Sequence, residues 1–189
     1  MVAAAAVVQR RRVRFGAFGA FRFDDPAGEV GIETHVVAVD GKTYQVPLTY
    51  RGAPLEGAEE FLVTTMDHSV LGSRWVYDAT ADPVYVSELA AAILTGSRWP
   101  CSVWWWGCHG GAPETMVVSG AGTPSADLPE LRFGAPRTQA GVTFIPAGPV
   151  NFAVARELET IVEIQCERSL TARWERQDVP VVLATAIMA

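Results

Sequence analysis

The chain has 189 residues, is 49% hydrophobic and 19% charged, and carries a formal net charge of -6. That balance suits one domain of ordinary size, with or without a trailing β subdomain, rather than two independent domains or a disordered chain. A general nucleic-acid binder needs a basic face for phosphate contacts, so the acidic balance argues against one.

In chain order, MVAAAAVVQRRRVRF comes first, with its apolar run ahead of the arginines. A secretory signal has the opposite order, so residues 1–17 read as a tail, solvated at Arg10, Arg11, Arg12 and Arg14, or as a mis-assigned start. No apolar run approaches the ~18 residues of a membrane-spanning helix. Gly31 to Val39 and Lys42 to Tyr50 are rich in β-branched and aromatic residues and flank Asp40-Gly41, a dipeptide suited to a tight hairpin turn. The spacing predicts a hairpin there and makes Lys42 a solvated turn residue. Pro54 and Gly57 bracket a turn, and Glu59 to Thr65 and Arg74 to Asp78 read as strands.

Asp82-Pro83 supplies an N-cap and a first-turn proline, and Val84, Val86, Leu89, Ala90, Ile93 and Leu94 recur at helical spacing. These residues predict a helix that stops at Gly96. Beyond it, Cys101 to Trp106, Thr115 to Ser119, Val142 to Ile145, Thr160 to Ile164 and Val179 to Ala184 read as strands. Gly120 to Pro136 reads as a loop connecting two small sheets.

A kinase-type catalytic loop places Asp two residues after His, whereas His35, His68 and His109 are followed two residues on by Val37, Val70 and Gly111. Gly41-Lys42-Thr43 lacks the earlier glycine of a phosphate-binding loop, since position 36 is Val36. Cys101, Cys108 and Cys166 are an odd set without CxxC spacing, which argues against a disulfide framework and points to a reducing, cytoplasmic setting. Cys101, Cys108 and His109 do not form a knuckle either, and no metal is expected. No GxSxG elbow is present. Asp24-Asp25 and Glu59-Glu60 read as solvated surface, because neighbours on a strand diverge to opposite faces. Trp104, Trp105 and Trp106 alternate faces if extended, so they are candidates for sugar stacking or partner anchoring as well as for packing.

One set of motifs is more specific. Phe21-Arg22-Phe23-Asp24-Asp25-Pro26 through Glu33, then Tyr44 to Gly57, His68 to Asp78 and Asp82 to Val86, resemble the maltokinase N-terminal cap family across residues 18–98. The ending from Trp174 to Ala184 resembles stand-alone actinobacterial members. The chain departs from them at MVAAAAVVQRRR, where relatives carry a helical segment; the expectation is an upstream start or a lost helix that leaves part of a sheet uncovered.

The resemblance implies an α+β fold, a cystatin-like curved antiparallel sheet with a packed helix. A β-rich extension over 99–189 would pack on the 18–98 cap. It also implies a non-catalytic accessory or regulatory protein of α-glucan or trehalose metabolism, without a cofactor. Its partner would be another protein, a sugar kinase or α-glucan enzyme, and neither nucleic acid nor membrane. The alternatives are a component of an ATP-dependent maltose or aminosugar kinase whose lobes lie on another chain, and a carbohydrate-binding module. Within the matched motifs, Arg51, Glu56, Arg74, Trp75, Tyr77, Asp78 and Asp82 are the candidate partner or ligand surface. Arg51, Glu56, Arg74, Asp78 and Asp82 would either recognise a partner or fix turns, both of which exploit bidentate Arg-carboxylate pairing.

Overall fold

A computed structural model describes residues 14–96, 98–100, 116–124, 126–158 and 168–188. The first five strands are β1 (Phe15–Asp24), β2 (Gly31–Val39), β3 (Lys42–Arg51), β4 (Leu62–His68) and β5 (Gly72–Asp78). They form an antiparallel sheet in the order β1-β2-β3-β5-β4. The expected hairpin is present: Asp40 and Gly41 take φ of 51° and 88°, the paired positive values that let a two-residue turn follow the strand twist. Ile32, Thr34 and Val36 of β2 and Gln45, Pro47 and Thr49 of β3 are all buried, so alternation gives the sheet one inner face. β1 begins at Phe15, inside the segment read as tail, and Glu59–Phe61 is a single 3-10 turn ahead of β4 rather than part of a strand.

Helix α1 spans Pro83–Thr95, capped by Asp82 and ended by Gly96 in the left-handed region, as its capping residues predict. Tyr85, Val86, Leu89, Ala90, Ile93 and Leu94 are buried around most of its circumference. A helix that is apolar nearly all round must be covered on more than one side. One cover is β1, whose Phe21 and Phe23 stack edge to face at 5.5 Å. The other is a second sheet.

That sheet comprises β6 (Arg98–Pro100), β7 (Met116–Gly120), β8 (Arg137–Gln139), β9 (Val142–Ala147), β10 (Val150–Ala155), β11 (Ser169–Trp174) and β12 (Gln177–Met188). Its order is β6-β7-β11-β12-β10-β9-β8. One core runs from Phe21, Phe23 and Ile32 through α1 to Val118, Phe152 and Leu183. The fold is therefore α+β with a preponderance of strand, and among the described residues no helix is long and apolar enough to cross a membrane. The segment between β7 and β8 joins two strands of the same sheet, not two sheets, which corrects the expectation for Gly120 to Pro136. The strands expected at Cys101 to Trp106 and Thr160 to Ile164, and the first thirteen residues, lie outside the described residues.

Backbone pairing joins the two sheets. Gln45 N donates to Arg156 O (2.9 Å) and Leu158 N to Thr43 O (2.9 Å), so the segment after β10 pairs with the first half of β3. The Gln45 amide Nε2 then donates to Ala155 O (3.1 Å) and Leu183 O (3.2 Å). The β11–β12 register slips across Leu183, a bulge that removes a residue from the ladder, and Gln45 satisfies the carbonyl left there. Lys42 is not simply solvated: its Nζ lies 2.6 Å from Glu157 Oε1, across the same joint.

Gly120 and Gly122 let the chain after β7 pass against the last turn of α1. A Cβ at Gly122 would fall inside the van der Waals shell of Leu94 O, and one at Gly120 inside that of Ala92 O. Backbone carbonyls cannot rotate away as a side chain can. Gly122→Ala is expected to lower unfolding free energy by about 3 kcal/mol through overpacking. Gly41→Ala, where a Cβ meets open space and only positive φ is at issue, should cost about 1 kcal/mol. Urea denaturation of the two variants compares the effects.

Candidate functional site

Four of the seven candidate residues in the matched motifs are tied into the interior where β3, β5 and α1 meet. Arg51, the last residue of β3, grips Asp82 with Nε to Oδ2 at 2.7 Å and Nη2 to Oδ1 at 2.6 Å. Asp82 is 0% exposed, and its Oδ1 also accepts from Val84 N (3.0 Å) at the start of α1. Hydrogen bonding to Asp82 leads the effects that hold the Arg51 guanidinium above its ordinary value, against the opposing pull of burial.

Asp78 repeats the arrangement one turn earlier. Its Oδ1 caps the 3-10 turn Ala79–Ala81 by accepting from Thr80 N (3.0 Å) and Thr80 Oγ1 (2.6 Å). Its Oδ2 accepts from Arg156 Nη2. Burial pushes the Arg156 guanidinium below its ordinary value, but the touching carboxylate keeps the pair ionic. Tyr77 is buried, and its hydroxyl accepts from Leu55 N (2.9 Å), fixing the loop after β3.

The other three sit nearer solvent. Trp75 is half-buried opposite Arg51 and, two residues from Tyr77, shares its strand face. Arg74 donates from Nη1 to Ser73 O (2.9 Å) and lies beside Gly52. Glu56 is exposed in the intervening turn. Trp104, Trp105 and Trp106, with Cys101, Cys108, His109 and Cys166, lie outside the described residues. Among the described residues no group of three His, Cys, Asp or Glu side chains is placed to hold a metal. An open cleft of about 640 Å³ lies beside Leu94, Asp127, Leu128 and Arg168, and its lining includes none of the seven candidates in the matched motifs.

Two acidic side chains differ from their sequence reading or extend it. Asp25 is not simple solvated surface: it lies beyond the end of β1 and accepts from Ala27 N, Glu29 N and Val30 N at 2.9 to 3.0 Å. Burial acts to raise its pKa, and these backbone donors outweigh it, leaving the carboxyl below its ordinary value. On the outer face of the first sheet, His35 Nε2 stands 3.5 Å from Glu33 Oε2. This hydrogen bond is foremost in lowering the Glu33 pKa, while burial and then Glu33 push Tyr50 up to about 12.

Sequence reasoning missed the β4–β5 hairpin as a surface. Leu62, Val63 and Met66 are exposed on β4, and at the tip Val70 is 83% and Leu71 56% exposed. His68 Nδ1 accepts from Val70 N (3.0 Å) and Leu71 N (2.9 Å), and Ser73 Oγ donates to Asp67 Oδ1 (2.8 Å), so the tip is braced by its own polar groups. Periodicity gave no usable signal: Leu62, Val63, Met66 and Val70 fall at helical spacing in a segment that folds as a strand and a turn. Exposed apolar clusters of this kind mark interaction sites.

Residues 7–82 match the family model of the maltokinase N-terminal cap domain, the family that the motifs resemble, but with bounds that begin earlier and end sooner than the 18–98 read from those motifs. The match covers less than half the chain and ends at the helix-capping Asp82. No curated protein matches the chain.

Removing the Arg51 guanidinium would strand a buried carboxylate. Arg51→Ala is expected to cost roughly 3 kcal/mol in urea titrations, and Asp82→Asn in that background to recover part of it, because the amide still caps α1 without a buried charge. Glu33 generates a pH effect. Its folded pKa is depressed, so the stability it contributes is complete above the ordinary value of 4.5 and is lost as pH falls through the lower folded value. Glu33→Gln should therefore flatten the acid limb of thermal stability below about pH 4.5.

Proposed function

We propose that this protein is a non-catalytic, cap-like accessory protein that binds a kinase-related partner in α-glucan or trehalose metabolism. The observation that carries this reading is the match of residues 7–82 to the maltokinase N-terminal cap domain. A cystatin-like description of residues 18–98 is supported by helix α1 packed beside the first antiparallel sheet.

The geometry suggests a division of labour among the candidate residues. Arg51, Tyr77, Asp78 and Asp82 satisfy one another and their neighbours inside the fold, which suits a frame. The partner surface is then the β4–β5 hairpin with Arg74, Trp75 and Glu56 beside it. Val70 and Leu71 at the tip would supply the apolar contacts, with Leu62 and Met66 exposed on opposite faces of β4, and Glu56, Glu59, Glu60, Asp67 and Arg74 would supply charged ones, the two components of a protein interface. Hot spots lie among the apolar contacts, so truncating the tip should matter more than neutralising the charges.

The test is titration calorimetry of the purified chain against a maltokinase-type kinase whose own cap has been removed. Binding is expected, with a Val70→Ser, Leu71→Ser variant weakened at least ~10-fold, as for loss of hot-spot residues, and with an unchanged melting temperature. Absence of binding by the unaltered chain would refute the partner assignment. ATP-dependent phosphorylation of maltose by the chain alone would refute its non-catalytic character.

A further inference from the structure

Three buried polar atoms lie along the inner face of the first sheet, on both sides of Pro47. Thr34 Oγ1, Gln45 Oε1 and Thr49 Oγ1 are enclosed and have no protein partner. Thr34 is 1%, Gln45 3% and Thr49 0% exposed. The strand register explains the grouping. Thr34 of β2 faces Pro47 of β3, with Gln45 and Thr49 two residues to either side of Pro47 on the same face. Thr34 is thus the diagonal neighbour of both. Diagonal positions are about 7 Å apart at the backbone, too far for short side chains to bond directly and close to the span of two hydrogen bonds.

The position is also a seam. Before Pro47, β3 pairs along its other edge with the segment at Arg156 and Glu157; after it, from Leu48, with β5. Pro47 has no N–H to offer either partner, so the proline stands where the ladder changes hands. The Gln45 amide is already held by its Nε2, which donates to Ala155 O and Leu183 O, and its buried Oε1 is left without a donor.

We infer that this seam is a binding site for ordered water: one molecule donates to Gln45 Oε1 and bonds the Thr34 hydroxyl, and a second links Thr34 to Thr49, which lies about 13 Å along β3 from Gln45. Water fits where another ligand would not. The three atoms are one fixed acceptor and two hydroxyls that can each donate or accept, and a water molecule supplies two donors and two acceptors in the volume of one side-chain group. The hydrated seam would complete the joint between the two sheets that Gln45 begins on its Nε2 side.

A high-resolution crystal structure of the unaltered protein is expected to show water density within hydrogen-bond distance of at least two of the three atoms. Thr34→Val keeps the side-chain shape but removes the hydroxyl. If water is held, the variant should melt roughly 2–4 °C lower, and its crystals should lose the density at position 34. A dry seam in the unaltered protein would overturn the inference. So would a higher melting temperature for Thr34→Val, the result expected when an unpaired buried hydroxyl is replaced by a methyl group.

Discussion

Helix α1 is buried on too many sides to belong to one sheet. Tyr85, Leu89 and Ile93 are all essentially inaccessible, and so are Val86, Ala90 and Ala92 on neighbouring faces. Transfer of a Leu- or Ile-sized side chain from water contributes about 2 kcal/mol, so leaving either flank of this helix open would forfeit a large part of the folding free energy. The first sheet covers one flank with Phe21 and Phe23. The second covers the other, and the glycines at 120 and 122 allow its chain to approach the helix backbone itself. Both sheets are consequences of the same apolar cylinder.

This arrangement gives the family match a particular meaning. The matched region stops at Asp82, the residue that caps α1, so the helix lies just beyond it. Yet Ile32 and Val36 on its inner face belong to a core that includes Val118, Phe152 and Leu183. The polar joints cross the same boundary: Arg156 reaches Asp78, Glu157 reaches Lys42, and Gln45 reaches Ala155 and Leu183. In this chain the matched region and the strands that follow share both apolar and polar ties, and neither closes its own interior without the other.

What could be read from the sequence divides along the same lines. The Asp40-Gly41 hairpin and the Asp82-Pro83 to Gly96 helix were legible because their determinants are local: two turn residues that accept positive φ, a cap, a first-turn proline and a left-handed stop. The pairing of Arg51 with Asp82 was approachable, since both lie in one cluster of matched motifs and Arg-carboxylate chemistry is specific. Arg156 was invisible as the partner of Asp78, because 78 residues separate them and no spacing rule connects two strands of different sheets. Lys42 looked solvated for the same reason. Asp25 looks solvated if Asp24-Asp25 is taken as strand, where neighbours diverge, whereas it begins a turn and gathers three backbone donors.

The β4–β5 hairpin escapes these constraints, which is why it can serve as a surface. It lies at the edge of the first sheet, and the core's large buried side chains do not include any from β4. An exposed apolar edge invites indiscriminate strand pairing, and this one carries features that oppose it. The register slips between Leu62 and Thr64, bending β4 near its start, and Asp67 places a charge near its end. Pairing along the whole edge is thereby discouraged, while the tip at Val70 and Leu71, beyond the last ladder pair His68 with Gly72, stays open. Recognition through this hairpin would then rest on side-chain contacts at a braced tip more than on strand addition. Such contacts can discriminate one partner from another, whereas backbone hydrogen bonds along an open edge would accept any extended chain.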